Sequence, residues 1–247
     1  MTAAPTGRPA VRRARLLAVS LAGVTAANLA APHLPDPGAA GQVAWLAVVS
    51  FPLATLTPRA LAVAPWARRR LIAGAVLAAL VAALLIWGGL SGTPATLAKL
   101  IGATLVGLLL ESLLSSPAEL IGIALLVAAV DAYSVAAGPT RAIVEHHPSV
   151  LSAFTLGFVP AGSTGSGQIG ASDFAFFAMF LGASERMRFH ADATWLWLTA
   201  SFGATMALSY RFDLALPALP LLSLAFLAVN ARPLMARVWR GSPDRES

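Results

Sequence analysis

The sequence predicts an all-α fold, a polytopic transmembrane bundle of about eight helices, from its composition, the length of its apolar runs and the placement of its cations. Residues are 57% hydrophobic and only 11% charged, with mean hydropathy +0.75, against roughly 45–50% apolar and 25% charged in soluble domains. Such a chain is solvated by lipid. Runs approaching the ~20 residues that cross a bilayer lie at 15–32, 43–58, 71–90, 97–115, 117–138, 168–184, 193–209 and 214–231. Alternating sides along these eight runs puts Arg8, Arg12, Arg13, Arg15, Arg59, Arg68, Arg69, Arg70, Arg186, Arg188, Arg232, Arg237, Arg240 and Arg245 on one face. Of 17 cations, only Lys99, Arg141 and Arg211 fall on the other. Cytoplasmic loops carry the Arg and Lys excess, so both termini are expected in the cytoplasm of a multi-pass cell-membrane protein. Adding or losing a span in mid-chain would scramble the bias.

In chain order, the first run follows Arg12, Arg13 and Arg15 and ends in small residues around Ala30 and Ala31, a pattern that also suits a signal peptide. Its length and the seven runs that follow favour a retained span. Trp45, Trp66, Trp87, Trp195 and Trp197 lie near run ends, where an indole anchors at the headgroups. The fifth run opens on Ser116-Pro117-Ala118-Glu119, a capping box with Pro at the first helical position. One long connection runs from Gly138 to about Gly167. Its apolar middle, 148–160, is too short to span and reads as re-entrant or interfacial; its Gly- and Ser-rich end, 161–170, reads as flexible. Organisation is therefore a cytoplasmic tail at 1–14, N-terminal helices at 15–115, a second helical region at 117–231 and a cytoplasmic tail at 232–247. The outermost residues, 1–12 and 241–247, read as disordered.

Several functions are excluded or disfavoured. Without cysteine there is no disulfide framework, thiolate metal site or cysteine nucleophile. The net charge of +6 and pI near 11.2 reflect arginines flanking apolar runs, so topology explains the charge better than nucleic-acid binding does. His146 and His147 read as a polar loop pair. No metal or other cofactor is expected.

Carboxylates inside apolar runs are functional candidates, because a charge at mid-bilayer costs several kcal/mol. Asp131 lies in Leu125-Leu-Val-Ala-Ala-Val-Asp-Ala-Tyr-Ser-Val135, about 21 Å from the Ser116-Pro117 start and about 10 Å from the Gly138-Pro139 break. Asp173 lies a few residues into the next run, in Ile169-Gly-Ala-Ser-Asp-Phe-Ala-Phe-Phe177. One loop joins these two runs, so both acids are expected at similar depth near the outer face. Glu111, close to the opposite boundary, reads as an interfacial group. The segment Asp213-Leu-Ala-Leu-Pro217-Ala218-Leu219-Pro220 heads the last run on the same outer face. Its prolines remove backbone donors and loosen a first turn, although a simple helix start also accommodates them.

In this order, these residues resemble the GxGD intramembrane aspartyl proteases, the family of presenilin, signal peptide peptidase and their microbial relatives. That family carries an Asp in a Tyr-Asp motif, a second in Gly-x-Gly-Asp, and Pro-Ala-Leu at the head of its last span. Here the counterparts are Asp131, Asp173 and Pro217-Ala218-Leu219, and Asp131-Ala-Tyr-Ser-Val135 followed by Thr140-Arg141 looks like the microbial homologues. The resemblance covers residues from about 117 to 231. The sequence departs from the pattern at Val130, where the family has Tyr and Tyr133 is a possible substitute, and at Ser172, where the family has its second Gly. The family has nine spans against eight here, which turns the active-site loop outward as in signal peptide peptidase.

The resemblance implies an aspartic-type intramembrane endopeptidase, a hydrolase that cleaves within transmembrane segments of membrane proteins or signal peptides. Asp131 and Asp173 would share one proton, one acting as general base on water and the other as general acid. Gly170, Ser172, Tyr133, Pro217, Ala218 and Leu219 would form the substrate cleft. Gly170 is expected to permit close helix approach, and the apolar stretch at 149–159 to supply a strand that pairs with unwound substrate. Two readings from other classes use the same acids: a proton-coupled small transporter, since intramembrane acids also mark proton paths, and a catalytically inactive scaffold for membrane proteins.

Overall fold

The computed structural model describes residues 8–137, 153–214 and 216–240. Helix α1 (Arg8–Ala30) ends in a 3-10 turn, Ala31–His33. Helix α2 (Gly38–Trp45), a π turn (Leu46–Ser50) and α3 (Phe51–Ala62) then form one continuous rod. After α4 (Arg68–Trp87), α5 (Thr93–Glu111) and α6 (Pro117–Ala137) come two short strands, β1 (Thr155–Phe158) and β2 (Gly167–Gly170). Helices α7 (Ala171–Arg186), α8 (Ala191–Phe212) and α9 (Leu219–Arg240) complete the described residues. The π turn has a local cause. Pro52 has no N–H to give the carbonyl of Val48, and the helix widens so that Phe51 N–H bonds Leu46 O, one residue further back.

The protein is thus a membrane-embedded helical bundle, and among the described residues six rods are long and apolar enough to cross a bilayer: α1, α2–α3, α4, α5, α6 and α9. The remaining two occupy predicted spans but differ in character. With 16 residues, α7 is about 24 Å long, short of the ~30 Å hydrocarbon core. In α8, Thr194, Thr199, Ser201, Thr205 and Ser209 dilute the apolar content.

Successive rods alternate in direction, and side-chain contacts mark the two ends. At one end Arg59 pairs with Asp192, Arg186 with Glu111, and Arg237 reaches the carbonyl of Met187. At the other, Asn28, Lys99 and the β hairpin meet. Arg59, Arg186 and Arg237, three of the fourteen arginines assigned to one face, thus share an end of the bundle, and Glu111 differs in detail from the sequence reading. It is buried against Gly182 and its partner Arg186, which also holds Leu114 O at 2.7 Å, instead of lying at an open interface.

The core sits around α7, whose residues Phe174 to Ser184 are almost all buried. It packs on α5, α3, α8 and α9. A ring cluster of Phe51, Phe158, Phe174, Phe177 and Phe202 ties it to α3, β1 and α8, and Phe180 stacks on Phe226 of α9 at 4.6 Å. Close approach of α5 and α7 depends on Gly107, where a Cβ would meet Ala175 O at 2.0 Å. Small residues let helix backbones touch in this way in membranes.

Boundaries differ from the sequence reading in four places. Helix α1 begins at Arg8, inside the stretch read as a tail, and α9 runs through Pro233 to Arg240. Residues 168–170, expected to open a span, are strand, and β2 at the end of the stretch read as flexible pairs antiparallel with β1 in the stretch read as re-entrant, from Thr155 with Gly170 through Phe158 with Gly167. The Gly138-Pro139 break, Thr140-Arg141, the His146-His147 pair and the outermost ends lie outside the described residues.

Candidate active site

Three elements converge on the two acids. The capping box that starts α6 is present, with Glu119 N–H bonding Ser116 Oγ at 3.2 Å and the Glu119 carboxylate accepting from Ser115 N–H at 2.8 Å. It fixes where α6 begins and so the level of Asp131. Helix α6 packs chiefly on α9 through buried Leu120 and Ala124, which brings Asp131 to the head of that helix. Leu219 N–H donates to Asp131 Oδ2 at 3.0 Å across 88 positions of sequence. The first N–H groups of a helix have no intrahelical partner, and Pro220 behind Leu219 has none to offer. A carboxylate is a fitting partner for such an end.

Asp173 occupies the equivalent place on α7. It is the third helical residue, and its Oδ2 accepts from the N–H of Gly170, the N-cap, at 3.2 Å. Gly170 is needed for space and not for conformation: its φ is −61°, but a Cβ there would lie 3.0 Å from Asp173 Oδ2 and 3.1 Å from Ser172 Oγ. The close helix approach expected of Gly170 belongs instead to Gly107. Asp131 and Asp173 are both half-buried. Each carboxylate thus accepts from a backbone N–H at the start of a helix, Asp131 of α6 at the head of α9 and Asp173 at the head of its own helix.

Of the other predicted site residues, Ala218 and Leu219 are buried in the main core cluster and Pro217 is half-buried beside them. Leu216 N–H, bonded to Ser209 Oγ at 3.3 Å, folds this loop back on α8. Ser172 is exposed next to Asp173. Tyr133 is not brought to the acids. It lies two residues beyond Asp131, about 200° round the helix, and is 68% exposed, so it does not take the place of the tyrosine missing at Val130.

Sequence reasoning missed the residues that hold the hairpin. Lys99 Nζ donates to Thr155 O, and Thr96 Oγ1 bonds both N–H and C=O of Gly157 at 3.3 Å. Asn28 accepts from Val159 N–H at 3.0 Å and donates to Gly157 O at 3.4 Å. The available signal was a lone Asn in an apolar run and one of three cations on the minority face. These bonds occupy the outer edge of β1, so the 149–159 stretch is closed to an added strand within its described part. Because antiparallel neighbours alternate in direction along a strand, the pattern leaves the backbone N–H and C=O of Gln168 in β2 turned outward, beside Asp173.

Compared with known protein families and with curated proteins, the chain matches no family model and no curated protein.

Proposed function

We propose that the protein is an intramembrane aspartyl endopeptidase that hydrolyses peptide bonds within transmembrane segments or signal peptides. The observation that carries this reading is that both acids sit at helix starts, Asp131 accepting from Leu219 N–H at the head of α9 and Asp173 accepting from Gly170 N–H in the first turn of α7. Two acids at one site share a proton, so one carboxylate activates a water while the other polarises the scissile carbonyl and then protonates the leaving amine. In the bilayer the substrate's amides are bonded within its own helix, so it must unwind before attack. The outward edge of β2 at Gln168 offers the unwound segment backbone partners beside Asp173, and Pro217-Ala218-Leu219 forms the opposite wall. The same reading puts eight spans in the cell membrane, both termini in the cytoplasm and the hairpin on the other side.

Asp131→Asn and Asp173→Asn test the proposal, because an amide oxygen still accepts the capping N–H but cannot move the proton. Each variant in proteoliposomes should keep its melting temperature and lose at least about 100-fold in cleavage of a transmembrane peptide. Wild-type protein that cleaves no transmembrane peptide but carries a proton flux abolished by the same substitutions would move the assignment to a transporter. Absence of both activities would leave the acids as helix caps.

A further inference from the structure

At the end of the bundle opposite the acids, a cavity of about 720 Å³ opens between the start of α1, the end of α3 and the α7–α8 connection. Arg12, Arg13 and Arg59 line it together with Glu185, His190 and Asp192. Arg59 is committed: its guanidinium pairs with Asp192 and lies 5.2 Å from the centre of the Trp195 ring. Arg12 and Arg13 have no ion-pair partner among the described residues. Three arginines against two acids leave one net positive charge among the Arg, Asp and Glu side chains of the lining. Leu16, Val63 and Phe189 make its walls partly apolar.

These features describe the chemistry of the occupant. Its volume lies within the range of small-molecule sites, two guanidiniums without an ion-pair partner among the described residues suit the oxygens of a phosphate, and the net charge matches a single phosphodiester. The cavity lies at the end of the rods where the arginines gather. Basic pockets between membrane helices on that side take anionic lipid headgroups, and its apolar wall suits a glycerol backbone. We infer that this cavity is a binding site for a phosphodiester anion, the headgroup of an anionic phospholipid, held by Arg12 and Arg13. The site is separate from Asp131 and Asp173 and stands whether or not the protein is a protease.

The test is thermal unfolding of the purified full chain in neutral detergent, titrated with short-chain phosphatidylglycerol, with phosphatidylcholine of the same chain length, and with inorganic phosphate. Phosphatidylglycerol should raise the melting temperature saturably and phosphatidylcholine should not. Arg12→Gln/Arg13→Gln should weaken the half-saturating concentration at least tenfold, and Glu185→Gln, which removes the opposing acid, should tighten it. The opposite signs of the two variants separate a lost site from a damaged fold. A shift with inorganic phosphate equal to that with phosphatidylglycerol would keep the phosphate site and assign it to a free ion. Equal shifts with both lipids, or an unchanged titration in the double variant, would overturn the inference.

Discussion

At the scale of single residues, each acid has a structural task, capping a helix, and a proposed chemical one, and substitutions separate them. Gly170→Ala is tolerated by the backbone, whose φ of −61° suits any residue, yet its Cβ would stand 3.0 Å from Asp173 Oδ2. In the protease reading this variant should lower kcat with little change in KM and an unaltered melting temperature; steady-state cleavage kinetics and a thermal melt check it. Gly107 behaves oppositely. Gly107→Ala drives a methyl into Ala175 O at 2.0 Å, and overpacking of this kind typically costs about 1–3 kcal/mol. A lower melting temperature is expected, with loss of cleavage only in proportion to loss of folded protein. In the sequence Gly170 stands out through the motif around Asp173, and Gly107 is only one small residue in an apolar run. Whether a glycine makes room for a carboxylate or for a neighbouring helix depends on what faces it.

At the scale of elements, the hairpin is held by three side chains from two distant helices. Strands of four residues have no independent stability, and β1 is kept in place because Asn28, Thr96 and Lys99 satisfy its outer backbone edge. Replacing Asn28 with Ala and Thr96 with Val should raise hydrogen exchange of the amides in 155–158 and 167–170 at least tenfold while leaving α4 and α9 protected. If cleavage depends on β2 as proposed, it should fall in parallel. Unchanged exchange would mean that the ring cluster around Phe158 holds the hairpin without the polar clamp. The helices were legible in the sequence, since each apolar run and the Ser116–Glu119 cap act locally. The hairpin was not, because its apolar residues fit a short buried segment of any kind and its stabilising partners are remote in sequence.

At the scale of the whole molecule, the absence of cysteine makes the topology directly measurable. Single cysteines at Ala67 and Ser112 should react with an impermeant thiol reagent from one side of sealed vesicles, and those at Ser91 and Ser166 from the other. His190→Cys and Asp213→Cys decide the span count. Labelling of His190→Cys from the side of Ala67 means that α7 crosses, and Asp213→Cys labelled from the side of Ser166 then means that α8 crosses too, giving eight spans; His190→Cys labelled from the side of Ser166 would rule eight out. The helical class and the membrane setting were legible in the sequence, because hydropathy acts on each stretch of chain separately. That Leu219 meets Asp131, that Glu111 is buried with Arg186, that Tyr133 faces away and that a hairpin precedes the helix of Asp173 came from the packing of the chain. Those outcomes depend on how rods dozens of residues apart pack and rotate against one another, a property that no single segment carries.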